Sequence, residues 1–335
     1  MYREAAESAS VLTRQFMRNH ETVQRLAASL RSDPPRAVIT CARGSSDHAA
    51  TFAKYLIETR AGVMTSSAAP SISSVYFARQ NLQGCLFLAI SQSGKSPDLL
   101  ATAQAAIDAG ARLVALVNVE DSPLARMAEF TLPLCAGAEH SVAATKSYIA
   151  SLAAVIHLVS AWTEDAELSA ALSQAPALLE QSWQLDWHAA AESLLVAQHL
   201  FVMARGLGLG IALEAALKCK ETSGLHAEGF SSAEVQHGPQ ALLGGDFPAL
   251  MLAQDDETLA GLKAVAEDLV ARGVPVMIAG ADVPGACGLP TIRCHPVIQT
   301  LLLIQSFYKL INALSVARGM NPDRPAHLRK VTETV

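Results

Sequence analysis

Residues 86–100 read LFLAISQSGKSPDLL, an apolar run that breaks into small hydroxyl residues around one glycine before a helical pattern begins. The run at 86–90 has the length and composition of a buried strand. Ser96 followed by Pro97 is a favourable helix start, because serine is a good N-cap residue and proline fits the first turn. The stretch therefore predicts a buried strand, a polar loop and a helix in immediate succession.

This alternation of apolar runs and helical patterns continues along the chain in two sets. The predicted strands are residues 37–41, 86–90, 113–118 and 130–134 in the first set, and 200–204, 247–253, 274–279 and 291–294 in the second. Such alternation is typical of a parallel sheet covered by helices. Two Ala-Arg-Gly segments, beginning at Ala42 and Ala204, lie 162 residues apart and each leads into a short loop and a helix. The predicted fold class is therefore α/β, with two tandem doubly wound parallel sheets flanked by helices.

The chain divides into five predicted segments. Residues 166–190 lose the strand pattern and read as a polar helical connector between two α/β domains. The segments are an N-terminal helical segment at 1–34, a first domain at 35–165, the connector at 166–190, a second domain at 191–325 and a C-terminal tail at 326–335.

Composition narrows the classes of partner. The chain has 335 residues, of which 51% are hydrophobic and 17% charged, with a formal net charge of −6. A globular protein with a large core is expected, and nucleic acid is not an expected partner, because that would require clustered Lys and Arg. A small molecule is the expected partner.

Neither a membrane nor an oxidising compartment is expected. The apolar stretches at 147–162 and 297–319 are interrupted by His157 in the first and by Gln299, Gln305, Lys309 and Asn312 in the second, so both are interpreted as buried helices. The six cysteines are scattered without a C-x-x-C pair, which predicts reduced thiols and no zinc site. Since the N-terminus also lacks a signal-peptide pattern, a cytoplasmic location is expected.

Two polar loops of the first set of strands are candidates for an anion site. In a parallel α/β sheet ligands bind beyond the carboxyl ends of the strands, where helix N-termini offer N–H groups and partial positive charge. The loop serines that could converge there are Ser45, Ser46, Ser91, Ser93 and Ser96. In the alternative interpretation these serines only cap helices.

The second set of strands provides an internal comparison. Its equivalent loops read RGLGLG at 205–210 and AQDDET at 253–258, one apolar and the other acidic, so neither predicts a phosphate site. The serine loop lacks the G-x-x-x-x-G-K-[ST] pattern, which favours a monophosphate over a nucleotide triphosphate. The glycines at 206–210 do not have the spacing of a dinucleotide fingerprint, so no nicotinamide cofactor is expected.

One predicted helix of the second half combines charges on a single face. Glu214, Lys218 and Glu221 follow each other at i, i+4 and i+7. A carboxylate beside an ammonium in a cleft is an acid/base arrangement, whereas a solvated face with ordinary ion pairs is the alternative. His237 precedes Gly238 and Pro239 in a turn and is either structural or a further proton-transfer group.

These motifs together resemble the sugar isomerase (SIS) family, in particular the isomerase half of glucosamine-6-phosphate synthases and the stand-alone glucosamine-6-phosphate deaminases. The resemblance covers nearly the whole chain, through RGSSDHAA, SQSGKSPD, AEHSVAATKSY, ALEAALKCKETSGLHAEGFSSAEVQHGP and DRPAHLRKVTETV. It implies two SIS domains and a sugar phosphate as substrate.

The resemblance also implies roles for individual residues. The implied sugar-phosphate site is lined by Ser46, Ser91, Gln92, Ser93, Ser96, Val142 and Ala144. Glu221 would be the proton-transfer base with Lys218 beside it, and His237 would assist ring opening from the neighbouring subunit of a homodimer. Lys330 would close over the open-chain sugar as part of the tail.

The sequence also departs from the synthases. RGSSD replaces Cys-Gly-Thr-Ser-Tyr, GKS replaces Gly-Glu-Thr, and no glutaminase domain with its nucleophilic cysteine precedes the first α/β domain. These features favour a deaminase that converts an amino-sugar 6-phosphate, glucosamine 6-phosphate above all, to a ketose 6-phosphate with release of ammonia. That chemistry requires no metal and no cofactor. The alternatives are a galactosamine-6-phosphate deaminase, a fructosamine-type deglycase, an aldose-ketose isomerase and a phosphosugar sensor without turnover.

Overall fold

A computed structural model of the chain describes residues 1–330, and residues 331–335 of the predicted tail lie outside the described part. The first half contains α1 (Tyr2–Ala6), α2 (Ser8–Ser32), β1 (Val38–Cys41), α3 (Ser45–Arg60), β2 (Thr65–Ser67), α4 (Ser71–Ser74), β3 (Leu86–Ser91), α5 (Pro97–Asp108), β4 (Arg112–Val117), α6 (Pro123–Met127), β5 (Phe130–Pro133) and α7 (Lys146–Trp162). The second half contains α8 (Ala166–Ser182), α9 (His188–Leu195), β6 (His199–Ala204), α10 (Gly208–Ser223), β7 (His226–Ser231), β8 (Ala249–Leu252), α11 (Leu259–Ala271), β9 (Val276–Ala279), β10 (Cys287–Leu289) and α12 (Pro296–Ala317).

The strands form two five-stranded parallel sheets, which confirms the predicted fold class. The first sheet has the order β2-β1-β3-β4-β5 and the second the order β10-β9-β8-β6-β7. Read in chain order, the two orders are the same, since the first strand of each sheet lies between the second and the third. Helix α5 begins at Pro97 and α11 at Leu259, again 162 residues apart. The spacing of the Ala-Arg-Gly repeat is thus kept at the next helix of each half.

The prediction of a strand at residues 291–294 is wrong. The fifth strand of the second sheet is β10, which pairs with β9 and ends at Leu289 opposite Ala279. Strand β9 ends there because Gly280 turns the chain at a φ of +88°, and a Cβ at that glycine would lie 2.0 Å from the carbonyl oxygen of Ala253. Residues 291–294 consequently have no strand to pair with.

Helix α12 is the most hydrophobic long element of the second half. It is long and apolar enough to cross a membrane by length and composition, and 83% of its most apolar window is buried inside the protein. It packs against α10 and α9, which confirms the prediction of a buried helix.

The chain forms two compact units, each built around one sheet. The first-sheet unit comprises Ser10–Glu139, Lys146–Ser173 and the tail from Arg329. The second-sheet unit comprises Met1–Ala9, His140–Thr145 and Gln174–Leu328. Both units are assembled from separate stretches of chain, whereas the predicted domains are continuous, and the predicted bounds of the five segments stay predictions.

Candidate active site

The loop between β3 and α5 in the first-sheet unit is shaped by one glycine. Gly94 has a φ of +61°, and a Cβ at this position would lie 2.3 Å from Oγ of Ser122. The Gly94 N–H donates a hydrogen bond of 3.0 Å to Oγ of Ser91, which is buried at the end of the strand. Ser91 therefore organises the loop through its hydroxyl. That role stands beside the ligand contact that the sequence predicts for it.

The serine that starts α5 does not cap the helix with its side chain. Ser96 is the N-cap residue and Pro97 follows it in the first turn, as predicted, but the Ser96 hydroxyl makes no capping hydrogen bond. Ser93 and Ser96 are both partly exposed. The interpretation of Ser96 as only a capping residue thus loses its physical basis, because capping requires that hydrogen bond.

The loop between β1 and α3 brings two further predicted serines to a helix start. Gly44, with a φ of +55°, is the N-cap residue of α3, so Ser45 and Ser46 lie in the first helical turn. Both are partly exposed. Gln92 is partly buried, and its carbonyl oxygen accepts a hydrogen bond of 3.2 Å from the N–H of Asn118.

An ion pair that the sequence analysis missed connects these two loops. The guanidinium of Arg43 donates from Nε and Nη2 to Oδ2 of Asp98, at 3.0 Å and 2.8 Å. Asp98 lies in the first turn of α5 and is 1% exposed. Arg43 follows β1 directly, so this pair fixes the β1–α3 loop against the start of α5. The Arg in RGSSD and the Asp in SQSGKSPD were the available signal.

The tail lysine has a buried partner in the same unit. The Lys330 ammonium is 2.9 Å from Oε2 of Glu139, whose side chain is fully buried. The same carboxylate accepts hydrogen bonds from the hydroxyl and the backbone N–H of Ser147, at 2.7 Å and 3.2 Å. Glu139 lies in the quoted stretch AEHSVAATKSY but was given no role, because sequence spacing does not show that a residue 191 positions away pairs with it.

The charged face of α10 in the second-sheet unit is buried, not solvated. Glu214 and Lys218 are 0% exposed. Nζ of Lys218 is 3.3 Å from Oε1 of Glu214 and 2.5 Å from Oε2 of Glu221. The hydroxyl of Tyr308, on α12, donates a 3.1 Å hydrogen bond to Glu214. Tyr308 was missed by the sequence analysis, since it lies 94 residues along the chain from Glu214.

The two carboxylates keep Lys218 protonated. Burial alone lowers the pKa of Lys218, but the charges and hydrogen bonds of Glu214 and Glu221 outweigh burial and raise the pKa above its ordinary value. Lys218 is consequently a fixed cation and not a general base. The Glu221 side chain is 20% exposed, so within this cluster it is the carboxylate that a ligand can reach.

The remaining predicted site residues lie elsewhere in the second-sheet unit. Val142 and Ala144 are partly buried in the segment His140–Thr145, where the N–H of Val142 donates to the carbonyl of Asp323 at 3.1 Å. His237 is exposed at the end of a 3-10 helix, Glu234–His237. Among residues 1–330 its ring makes no hydrogen bond with α10. The catalytic and binding roles of all these residues stay predictions.

The loop between β8 and α11 satisfies its polar groups internally. Nε2 of Gln254 donates to the carbonyl of Arg205 at 2.7 Å and contacts the side chains of Asp256 and Thr258. Oδ1 of Asp256 accepts from both the N–H and the hydroxyl of Thr258, at 2.8 Å and 2.6 Å. Gly208 packs against Gln254, 2.6 Å from its Oε1 if a Cβ were added. The glycines before α10 thus serve close packing.

Metal-ligand geometry was examined among the His, Cys, Asp and Glu side chains. In the part of the chain that the structure describes, no group of three or more of them is arranged to hold a metal ion. The six cysteines are free thiols. Burial raises the pKa of Cys41 and of Cys219 to about 12, so both remain protonated.

Two parallel sheets with the same strand order, one of them bearing serine-rich loops at helix starts, define a duplicated α/β protein of the anion-binding type. The SIS domain family matches residues 33–161 and 193–285. The chain therefore belongs to the SIS domain family.

Related proteins share the whole two-sheet arrangement. A structure from Silicibacter pomeroyi DSS-3, provisionally named a phosphosugar isomerase, is 41% identical, covers 96% of this chain and 99% of its own, and has a TM-score of 0.93. Glutamine–fructose-6-phosphate aminotransferase (isomerizing) of Shewanella oneidensis is 32% identical over 88% of this chain. The chain spans about half the length of this and the other curated relatives it matches. A glucosamine-6-phosphate deaminase of Thermotoga maritima, 21% identical with a TM-score of 0.77 over 99% of each chain, shares the fold.

Proposed function

We propose that the chain is a phosphosugar isomerase that deaminates an amino-sugar 6-phosphate, glucosamine 6-phosphate above all, to the ketose 6-phosphate. The observation that carries the proposal is the buried Glu214–Lys218–Glu221 cluster with one reachable carboxylate. Moving a proton between adjacent carbons requires one carboxylate that touches the substrate and a fixed charge that holds it in place. Kinship with a protein provisionally named a phosphosugar isomerase supports this class of reaction.

The proposed reaction proceeds in three steps. His237 assists opening of the sugar ring to the aldehyde. Glu221 then removes the proton from carbon 2 and returns it to carbon 1, which converts the 2-amino aldehyde through an enolamine to a ketimine. Water adds to carbon 2 of the ketimine, and the C–N bond breaks with release of ammonia, leaving the ketose phosphate. No electrons are exchanged with a cofactor.

The binding roles follow the first-sheet unit. The hydroxyls of Ser46, Ser93 and Ser96 would bind the phosphate at the starts of α3 and α5, where helix N-termini favour an anion. Arg43 holds the two loops together through Asp98. Lys330, paired with Glu139, would close over the open-chain sugar, and Val142 and Ala144 would contact it.

The opposite direction of amino transfer is the second candidate. It is favoured by one observation, the 32% identity to aminotransferases that make the amino sugar from fructose 6-phosphate, as their name states. A panel of glucosamine 6-phosphate, galactosamine 6-phosphate and fructose 6-phosphate separates the two. Deamination predicts ammonia and ketose phosphate in equal amounts from an amino sugar. If ammonia is absent but aldose and ketose phosphates interconvert, the chain is a plain isomerase. Binding of these compounds without any turnover would indicate a sensor.

We further propose a homodimer in which His237 serves the partner's substrate, within a reducing compartment such as the cytoplasm. The exposure of His237 and the six free thiols support these assignments. Mixing His237→Ala and Glu221→Gln proteins should restore activity through hybrid dimers with one intact set of residues. No rescue after verified subunit exchange would contradict a shared site, while leaving the reaction itself untouched.

A further inference from the structure

A cavity of about 540 Å³ opens at the carboxyl edge of the second sheet, within the second-sheet unit. Its walls come from the segments that follow three neighbouring strands, β8, β9 and β10, together with α11 and the start of α12. The polar side chains that line it are Asp255, Lys263, Asp282, Thr291, Arg293 and Gln299. None of them belongs to the residues proposed above for the isomerase reaction. A cavity of this volume lies within the range of small-molecule sites.

A buried amide in the cavity wall has one of its two polar atoms unused. Gln299 is 1% exposed, and its Oε1 accepts a 2.9 Å hydrogen bond from the N–H of Asp255. Its Nε2 donates to no described residue. A buried amide donor without an acceptor is unfavourable, so such groups normally find a partner. Because Gln299 lines the cavity, an acceptor oxygen on a bound molecule supplies the missing hydrogen bond.

The charges that line the cavity are balanced but not paired with each other. Lys263 and Arg293 contribute two cations, and Asp255 and Asp282 contribute two carboxylates. None of the four side chains forms a salt bridge with another residue in the described range 1–330. A ligand with only negative charge would be repelled by the carboxylates, and one with only positive charge by the cations. A molecule that carries both an ammonium and an acidic group matches both pairs.

We propose that this cavity binds a small zwitterion, in which an ammonium contacts Asp255 and Asp282 while a phosphate or carboxylate contacts Lys263, Arg293 and the amide of Gln299. Two sources share this chemistry, amino-sugar phosphates and α-amino acids. The site is separate from the proposed active site and does not depend on the proposed reaction. It gives the second sheet a ligand of its own at the edge where the first sheet carries its serine loops.

Calorimetric titration of the full-length protein tests the proposal. Glucosamine 6-phosphate is compared with glucose 6-phosphate, which lacks the ammonium, and with glucosamine, which lacks the phosphate. L-serine represents the amino acids. The Glu221→Gln protein is used for glucosamine 6-phosphate so that turnover does not disturb the heats. Two glucosamine 6-phosphate molecules per chain, or one molecule of L-serine, are expected to bind.

The cavity is removed by substitutions at exposed or partly exposed positions that are unlikely to affect folding. Lys263→Gln with Arg293→Gln, and separately Asp282→Asn, should weaken binding at this site about tenfold or more. Lys54→Gln, on the exposed face of α3, is the matched control and should change nothing. Serine loss alone identifies an amino-sugar phosphate as the source, through retention of the second glucosamine 6-phosphate. The proposal is overturned if the cavity variants bind every zwitterion as tightly as the parent, or if glucose 6-phosphate binds at this site equally well.

Discussion

The loops that follow β3 and β8 occupy equivalent places in two sheets of the same strand order, yet they treat their polar groups in opposite ways. In the β8–α11 loop, the carboxylate of Asp256 accepts hydrogen bonds from the N–H and the hydroxyl of Thr258. At the spacing of 162 residues, the counterpart of Asp256 is Gly94 and that of Thr258 is Ser96. The first loop has no side chain at the position where the second carries its own anion.

This difference shows how a duplicated fold can divide its work. A carboxylate inside a loop satisfies the donors at a helix start, and the same donors attract an external anion when a glycine stands there. The first-sheet unit keeps that place open, while the second-sheet unit closes it and buries the ion cluster of α10 instead. Substrate binding and proton transfer should therefore respond to different substitutions, and four predictions test that division.

The largest effect is expected at Glu221. Glu221→Gln keeps the shape of the side chain and removes the base, so kcat should fall by about 10²- to 10⁴-fold, while affinity for the sugar phosphate changes by less than about tenfold. Solvent deuterium incorporation at carbon 1 of the ketose should disappear in parallel. Glu267→Gln, at an exposed position on α11, is the control and should behave as the parent protein. A variant that keeps more than about a tenth of kcat would show that Glu221 is not the base.

Gly94 should be the most sensitive position of the first-sheet loop. Gly94→Ala places a Cβ against Ser122 at a φ of +61°, so the free energy of unfolding should fall by about 2 to 4 kcal/mol. The Michaelis constant should rise as the loop shifts. Gly62→Ala is the matched control, because Gly62 has a φ of +67° and no atom within 4 Å of an added Cβ; it should cost about 1 to 2 kcal/mol and leave kinetics unchanged. Equal losses in both variants would remove the role of the Ser122 contact.

Removal of a phosphate-binding hydroxyl should have a smaller effect that is confined to binding. Ser93→Ala and Ser96→Ala should each raise the Michaelis constant about tenfold, because a charge-assisted hydrogen bond contributes about 1.5 to 3 kcal/mol. The turnover number should stay within about twofold of the parent. Steady-state kinetics at several phosphate concentrations would show it, since inorganic phosphate should inhibit the parent more strongly than the variants. Unchanged Michaelis constants in both variants would exclude the loop as the phosphate site.

Much of this fold could be predicted from local patterns, because the buried strands β3, β4, β6, β8 and β9 are continuous apolar runs. The edge strands could not. Strand β2 is the three-residue segment Thr65–Ser67 with two exposed positions, and β7 has the polar sequence HAEGFS. Their extended conformation is stabilised by hydrogen bonds to β1 and β6, which are not visible in their own composition.

The site could be predicted only where its residues lie close in sequence. The spacing of Glu214, Lys218 and Glu221 placed them on one face, but spacing alone left open whether that face is solvated. Burial was decided by α12, whose Tyr308 donates to Glu214. The pairs Arg43–Asp98 and Glu139–Lys330 join residues that are distant along the chain, so they required the tertiary structure.

The smallest effect is expected at Thr258, the counterpart of Ser96, and it should fall on stability alone. Thr258→Ala removes the 2.6 Å hydrogen bond to Asp256, and since the loop is partly exposed the free energy of unfolding should fall by about 1 kcal/mol. The Michaelis constant should not change, because this hydroxyl already has a partner within its own loop. Thr258→Ser restores the hydroxyl and should recover most of the lost stability in urea denaturation. A Michaelis constant that rises in Thr258→Ala as much as in Ser96→Ala would mean that the two loops bind substrate alike, and the division of work between the two sheets would be wrong.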